Sequence, residues 1–415
     1  RLVAEAQSSR SRAQALADRF AALLFYVAAL AAMVTFAAWT ATGDVDEAVV
    51  RTVTVLVIAC PHALGLAIPL VVSLSSAVAA RSGILVKDRL ALERMRSVDA
   101  VLFDKTGTLT KGEHVVTGVV GDGIDDRAVL RIAAAVESES EHPLARAIVA
   151  AASGDVASGT DVRTMTGRGV EATVEGRRYA VGGPNLLRQR HAAEPAGITP
   201  TTDEWRARGA AVLYLLEGDE VRGAMALEDE VRPEAAEAVA QLRRMGKRVV
   251  LVTGDARQVA ESVGTALGVD EVLAEVLPED KDGKVVELQQ RGLRVAMVGD
   301  GVNDAPALAR ADVGIAIGAG TDVAVESAGV VLASNDPRGV VSVIRLSAAG
   351  YRKMAQNLGW AAGYNVLAIP AAAALDFPPA FGALLMSAST VVVALNAQLL
   401  RRLRLTDTHP ERSST

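Results

Sequence analysis

Three apolar runs in this chain each end in an acid: VDAVLFD closes at Asp104, RVVLVTGD at Asp255 and LRVAMVGD at Asp300. Each reads as a buried parallel strand with a carboxylate at its C-terminal edge. In doubly wound sheets, ligands bind beyond those edges, and all three acids fall there. A second kind of chemistry sits inside an apolar stretch, CPHALGLAIP at residues 60–69. Pro61 cannot donate to a helix and frees a carbonyl, which lipid tolerates only where protein or a cavity satisfies it. A thiolate and an imidazole beside that break, Cys60 and His62, make a soft metal site.

The elements that must position these groups follow from periodicity and composition. Helical stretches at 232–245 and 258–267 alternate with the acid-ending runs, as in an α/β sheet. Residues 112–223 interrupt that pattern with helical segments at 126–136 and 143–152 and short strands at 170–174 and 178–181, so an inserted α+β domain is expected. The chain has 415 residues, more than one typical core, and 50% of them are hydrophobic. Residues 20–39 carry no charge, and at about 1.5 Å per residue they cross a hydrocarbon core of roughly 30 Å. Further apolar runs cover 48–80, with Arg51 its one charge, 358–375 and 381–400, giving four expected spans. The first run exceeds the apolar part of a signal peptide and a second span follows it closely.

Basic residues flank the spans on one side: Arg10, Arg12 and Arg19, then Arg81, Lys87 and Arg89, then Arg401, Arg402 and Arg404. The connecting loops carry Asp44, Asp46 and Glu47, or Asp376, so the basic flanks and the large region between the second and third runs are expected in the cytoplasm. Cys60 is the only cysteine, which excludes an intrachain disulfide. The net charge of −6 comes without a basic stripe interleaved with aromatics, so no nucleic-acid partner is expected.

The motifs carry a family resemblance. DKTGTLT, from Asp104 to Thr110, resembles the phosphorylation motif of P-type ATPases. The resemblance implies that the Asp104 carboxylate attacks the terminal phosphate of ATP to give an aspartyl-phosphate. Lys105 and Thr106 belong to the same catalytic loop. Phosphatases of the same fold usually place a second acid two positions after the nucleophile; here Thr106 stands there, and without that base the phosphoenzyme should persist. Thr253, Gly254 and Asp255 resemble the family's phosphate-binding turn, and Lys281 its charge-neutralising lysine. GDGVNDAPAL, residues 299–308, resembles the family's hinge and magnesium site. Mg²⁺ would take Asp104, Asp300 and the Thr106 carbonyl, with Asn303 and Asp304 supporting.

The inserted region holds ESESEHP (137–143), TGRG (166–169) and GGPN (182–185), a combination similar to the adenosine pocket of heavy-metal P-type ATPases. It implies that Glu137, His142, Gly167, Gly169, Gly182 and Gly183 bind ATP, although His142 also suits a helix start with Ser140 as its N-cap. The Cys-Pro-His motif resembles the subgroup associated with copper and sometimes silver. In that subgroup Tyr364, Asn365, Met386 and Ser389 would join Cys60 and His62 around the transported ion. Thr390 and Asn396 are further polar groups in the same spans, for which joining helices to each other is the alternative role.

The resemblance implies a multidomain protein: transmembrane helices plus an α/β haloacid-dehalogenase-like phosphorylation domain with an inserted α+β nucleotide-binding domain. The expected parts are a linker (1–19), two transmembrane helices with the CPH site (20–80), a phosphorylation domain in two pieces (81–111 and 224–350) around the nucleotide-binding domain (112–223), two C-terminal transmembrane helices (351–402), and a disordered tail (403–415). ATP and Mg²⁺ are the implied cofactors. Copper is the cargo, the bilayer and a metal donor or acceptor protein are the partners, and the bacterial plasma membrane is the location. The family also has an actuator domain with a TGE motif; none occurs here, and the opening residues look like the segment after it, so the chain reads as a fragment. The alternatives are a truncated product that binds nucleotide or metal without turnover, or a pump of another divalent metal. A potassium-type subunit should lack CPH, and a soluble phosphatase is excluded by the apolar runs and Thr106.

Overall fold

The computed structural model describes residues 12–60, 62–152, 158–165, 167–318, 321–375 and 377–405. Pro61, Thr166, Asp376, the first eleven residues and the tail from Thr406 onward, all used in the expectations above, lie outside the described residues. The chain divides into two compact units, Val101–Lys281 and the combination of Arg1–Ala100 with Asp282–Thr415.

The second of these units contains the apolar helices. The first, Arg12–Ala41, exposes Leu23, Tyr26, Leu30 and Met33 on one side and packs Ala28 and Ala32 on the other. A helix that shows large apolar side chains outward is built for lipid. The next, Val45–Ile58, starts where the Asp44 carboxylate accepts from the Glu47 N–H at 2.9 Å, and Asp46 and Glu47 in its first turn oppose the positive end of the helix dipole. Arg51 is accommodated by a 2.6 Å ion pair with Glu47 and by stacking 4.0 Å from the Trp39 ring.

The run at 48–80, expected as one span, is two helices, Val45–Ile58 and His62–Arg81, separated at Cys60. The 37 residues of Val45–Arg81 as one straight helix would reach about 55 Å, well past a hydrocarbon core of roughly 30 Å. Among the described residues three helical stretches are long and apolar enough to cross a membrane by length and composition, Arg19–Ala41, Val45–Arg81 and Pro379–Arg402; the expected run at 358–375 is not among them. The run at 358–375 forms the end of a 37-residue helix, Arg338–Ala374, in which Asn357, Tyr364 and Asn365 lower the hydropathy. Its buried stripe of Asn357, Ala361, Asn365, Ile369 and Ala372 recurs at helical spacing, while Trp360, Val366 and Leu367 are exposed.

Small residues let these helices approach. Ala28 and Ala32 pack with Val55, Ile58, Ala59, Ile369 and Ala372, and Ala63, Leu64 and Ala67 pack with Ala361 and Val393. The same unit holds four strands side by side in the order Ile84–Val86, Val330–Leu332, Val313–Ile317 and Val295–Gly299. The first pair is antiparallel and the rest are parallel. Every residue of Val295–Gly299 and Val313–Ile317 is buried, as strands covered on both faces must be.

In the unit Val101–Lys281, strands Ala100–Asp104, Arg248–Val252 and Glu271–Leu273 lie in that order, with helix Pro233–Arg244 before the last two in sequence and helix Arg257–Leu267 between them. A six-stranded antiparallel sheet orders Thr110–Gly121, Glu220–Val231, Ala211–Glu217, Arg177–Gly182, Gly169–Val174 and Thr160–Met165. Alternation along its strands supplies two faces. Tyr179, Val181, Leu215, Met225 and Leu227 face helices Asp126–Glu137 and Pro143–Ala151, whereas Ala180, Val212, Tyr214, Ala224 and Ala226 face Leu186, Ile198 and Trp205. Both faces are therefore covered.

Candidate functional site

Asp104 closes a strand whose five residues are all buried, and the residue itself is only 6% exposed. The chain then turns sharply through Lys105–Leu109, where Gly107 takes φ +72°, a conformation that favours glycine. A buried carboxylate is costly unless paired, and Lys281 provides the pair: its Nζ lies 2.7 Å from Asp104 Oδ1. Lys105 Nζ lies 2.5 Å from Asp255 Oδ2, which ties the turn to the strand end at Asp255. There the buried Thr253 hydroxyl accepts from the Asp255 N–H at 3.2 Å, and Gly254 is exposed between them. Thr106 is exposed at the turn.

Two residues that hold this turn were not anticipated from the sequence. Asp229 accepts from the Thr110 hydroxyl at 2.5 Å and from the Gly112 N–H at 2.9 Å. Arg232 donates to the carbonyls of Thr108 and Gly107, each at 3.2 Å. Their signal was the charged cluster EDEVR at and just past the end of the strand Glu220–Val231, directly after its apolar stretch GAMAL.

The other unit carries Asp300, Asn303 and Asp304 directly after the strand Val295–Gly299. Carboxylate oxygens of Asp300 and Asp304 lie within 4.8 Å of each other. The approach depends on Gly299: a Cβ there would meet Asp304 Oδ2 at 2.5 Å. Gly301 donates its N–H to the same oxygen at 3.4 Å. Two hard oxygen donors at this spacing fit Mg²⁺, which takes a carboxylate or two and keeps water for the rest of its octahedron. Asn303 is exposed.

All six residues expected to bind ATP line one cleft of about 500 Å³: Glu137, His142, Gly167, Gly169, Gly182 and Gly183. The glycines serve different ends. A Cβ on Gly169 would meet the Val181 carbonyl at 1.9 Å and one on Gly182 would meet the Arg168 carbonyl at 2.0 Å, so these two let adjacent strands close. Gly167 meets nothing within 4 Å and is open to the cleft. His142 is itself the N-cap of Pro143–Ala151, its Nδ1 accepting from the Leu144 N–H at 3.2 Å. Ser140, expected in that place, accepts from the His142 N–H at 3.4 Å instead. With Nδ1 an acceptor, a neutral His142 carries its proton on Nε2. Burial pushes the Glu137 carboxyl above its ordinary value, a bond from Ser140 partly opposes this, and Oε2 has no hydrogen-bond partner among the described residues.

Around Cys60 the helices are organised by level. Ala361 packs with Ala63 and Leu64, beyond the break, and Ile369 packs with Val55, Ile58 and Ala59, before it. Asn365 lies between Ala361 and Ile369 on the same buried stripe and so is level with Cys60. On the last helix, a Cβ on Gly382 would touch Ile58, and Val393 packs with Ala63 and Leu64, which brackets Met386 and Ser389 at the same height. Tyr364 packs against the cluster that holds Ala59, and its hydroxyl is buried without a hydrogen-bond partner among the described residues, as is Asn365 Oδ1. Cys60 and His62 are both exposed. Thr390 donates to the Met386 carbonyl one turn back in its own helix at 3.2 Å, whereas Asn396 donates to Asn357 at 2.8 Å and accepts from Lys353, contacts that join two helices.

Residues 98–312 match the family described as haloacid dehalogenase-like hydrolase, and 284–344 match a second model of the same description. The copper-exporting P-type ATPase B of Archaeoglobus fulgidus is 50% identical over 410 residues, covering 96% of this chain and 59% of that protein. A zinc-transporting PIB-type ATPase solved in its E2.Pi state superposes with a TM-score of 0.83 at 36% identity, over 97% of this chain and 66% of that one. The catalytic domain of the CPx-ATPase CopB-B superposes with a TM-score of 0.50 at 29% identity, over 65% of this chain and 96% of that one. The chain thus spans about three fifths of the length of the curated relative it matches.

Proposed function

This chain belongs to the haloacid dehalogenase-like hydrolases, and on that premise we propose that it is the catalytic and C-terminal membrane part of a copper-exporting P-type ATPase. The observation that carries the reading is the buried contact of Lys281 Nζ with Asp104 Oδ1 at 2.7 Å, at the edge of a strand. ATP enters the cleft lined by Glu137 and His142, and the γ-phosphoryl group comes to Asp104. An oxygen of Asp104 forms the new bond to phosphorus as the bond to the bridging oxygen breaks, and ADP departs with that electron pair. Lys281 offsets the charge gathering on the transferred group, and Thr253 and the Gly254 N–H bind its oxygens. Mg²⁺ would be held by Asp300 and Asp304 and would supply charge neutralisation at the phosphates. Lys105 keeps Asp255 paired while the turn accepts its new charge, and Asn303 orients the acids beside it. Because Thr106 stands where an acid/base would otherwise promote hydrolysis, the acyl phosphate lasts long enough to drive transport.

The cargo site in this reading is Cys60 and His62, joined by Tyr364, Asn365, Met386 and Ser389 at the level of the helix break. The unpartnered Tyr364 hydroxyl and Asn365 Oδ1 support it, since buried polar atoms in hydrocarbon are costly without a ligand or partner. The helix Arg338–Ala374 crosses the membrane with the three more apolar stretches, the catalytic parts face the cytoplasm, and a donor or acceptor protein exchanges the metal at a bacterial plasma membrane. The 50% identity to a copper-exporting relative favours copper, and the likeness to a zinc-transporting ATPase makes Zn²⁺ the second reading.

Labelling the purified chain from [γ-³²P]ATP with Mg²⁺, with and without Cu⁺, Cu²⁺ or Zn²⁺, tests the proposal. Acid-stable, hydroxylamine-sensitive label in wild type, stimulated by copper and absent from Asp104→Asn, is the expected result. Label that persists in Asp104→Asn overturns the nucleophile, and stimulation by Zn²⁺ alone overturns the cargo.

A further inference from the structure

A pocket of about 250 Å³ opens between the helix His62–Arg81, the short helix Arg89–Met95 and the helix Arg338–Ala374. Its floor is apolar: Ile68 and Met354 are buried there and Leu358 extends it. Its rim is charged. Glu93 Oε1 is buried and has no hydrogen-bond partner among the described residues, and Glu93 also lines a small adjoining cavity on its other side. Arg94 is exposed and makes no ion pair among the described residues. The Arg96 guanidinium stacks 3.6 Å over the Tyr351 ring, which takes up its face and leaves its in-plane N–H donors for another partner. The rim therefore presents an acceptor that needs a donor beside two donors that need an acceptor.

We propose that this pocket binds the headgroup of an aminophospholipid of the phosphatidylethanolamine type, with the ammonium on Glu93, the phosphodiester on Arg94 and Arg96, and the start of an acyl chain on the Ile68–Leu358 floor. The volume is below the range of roughly 300–1,000 Å³ usual for small-molecule sites, so a headgroup enters while the rest of an amphiphile stays outside. A simple anion would leave Glu93 unpaired and be repelled by it, and a metal cation would leave both arginines unmatched; a zwitterion satisfies all three. The position agrees. Arg81, Lys87 and Arg89 follow the apolar stretch on the side expected to be cytoplasmic, Tyr351 is a residue type favoured at the membrane interface, and basic pockets between membrane helices on that side take lipid headgroups.

The test uses the full chain, stripped of lipid in detergent and examined by native mass spectrometry with dioleoyl phosphatidylethanolamine, dioleoyl phosphatidylglycerol, glycerophosphoethanolamine or inorganic phosphate. Wild type is expected to retain the ethanolamine lipid about tenfold better than the glycerol lipid. Glu93→Gln should abolish that preference, and Arg94→Gln with Arg96→Gln should weaken both lipids by about tenfold or more. Labelling at Asp104 should persist in all variants, so failure of the lipid site and failure of the proposed pump are read separately. Equal retention of the two lipids by wild type overturns the proposal. So does unchanged retention in the double arginine variant, whose side chains are exposed and whose loss leaves the core intact. Binding of the free headgroup or of phosphate as tightly as the lipid would place the ligand in solution and also overturn it.

Discussion

Asp104 and Cys60 are held in opposite ways. Asp104 is buried and fixed by polar contacts from far along the chain: Lys281 is 177 residues away, and Asp229, Arg232 and the Lys105–Asp255 pair brace the turn that follows it. Cys60 is exposed at a helix break whose flanks are set by apolar packing of Ala59, Ala63, Leu64, Ala361 and Ile369. In the first region the reactive group is part of what holds the region together. In the second the scaffold stands without it. Substitutions at the two places should therefore differ in what they damage, beyond the activity lost in each.

The largest effect is expected from Asp104→Asn, which removes phosphoenzyme altogether while ATP still binds the cleft, as measured by labelling beside equilibrium nucleotide binding. Lys281→Met comes next, and it sharpens the contrast because it strikes chemistry and folding together. Labelling should slow by about 10²–10³ through loss of charge stabilisation. Unfolding should be eased by about 3–5 kcal/mol, because the buried Asp104 carboxylate loses the Lys281 ammonium that faces it. If denaturant melts show Lys281→Met as stable as wild type, the buried pair is not what fixes the turn.

Cys60→Ala is the counterpart. It should abolish stimulation of labelling by copper, yet change unfolding by only about 0.5 kcal/mol, the scale of an exposed substitution. A large loss of stability would erase the distinction between the two regions. Gly182→Ala falls between them. Its Cβ would lie 2.0 Å from the Arg168 carbonyl, so the strand must shift and ATP affinity should drop by about tenfold, read by isothermal titration.

Much of this was legible in the sequence because the reactive groups lie in contiguous motifs: DKTGTLT, TGD and the acids after Gly299 each end a buried strand, and the pattern of apolar run then acid marks all three. Helices such as Asp126–Glu137 and Pro143–Ala151 fell within a residue or two of the expected ranges. The long partners were not legible. Asp229 and Arg232 act through a strand of twelve residues whose pairing with Thr110–Gly121 sets their reach, and single-sequence spacing carries no information on that pairing. Tyr364 and Asn365 make the run at 358–375 weakly apolar, with Asn357 just before it, and only packing shows that the polar stripe faces neighbouring helices instead of lipid. Gly169 and Gly182 looked like ligand glycines, and their close strand contacts became visible only in three dimensions.

The smallest expected effect concerns Glu137, where the cleft combines burial with an unpartnered oxygen. Burial raises its carboxyl above the ordinary value of 4.5, and the bond from Ser140 only partly opposes this. As pH rises past 4.5 the unfolded chain releases this proton before the folded chain does, so the wild type loses stability until pH passes the raised folded value; below 4.5 the penalty is absent. Gln at this position does not titrate. The difference in apparent Tm between wild type and Glu137→Gln should therefore move in favour of wild type as pH falls towards 4.5, and at neutral pH saturating ATP should narrow it by giving the carboxyl a donor. Parallel melting curves at stepped pH, with and without ATP, measure both shifts. A difference that stays flat with pH would mean that Glu137 ionises as readily in the fold as outside it, and that the cleft leaves this acid as well solvated as the exposed Cys60 across the comparison.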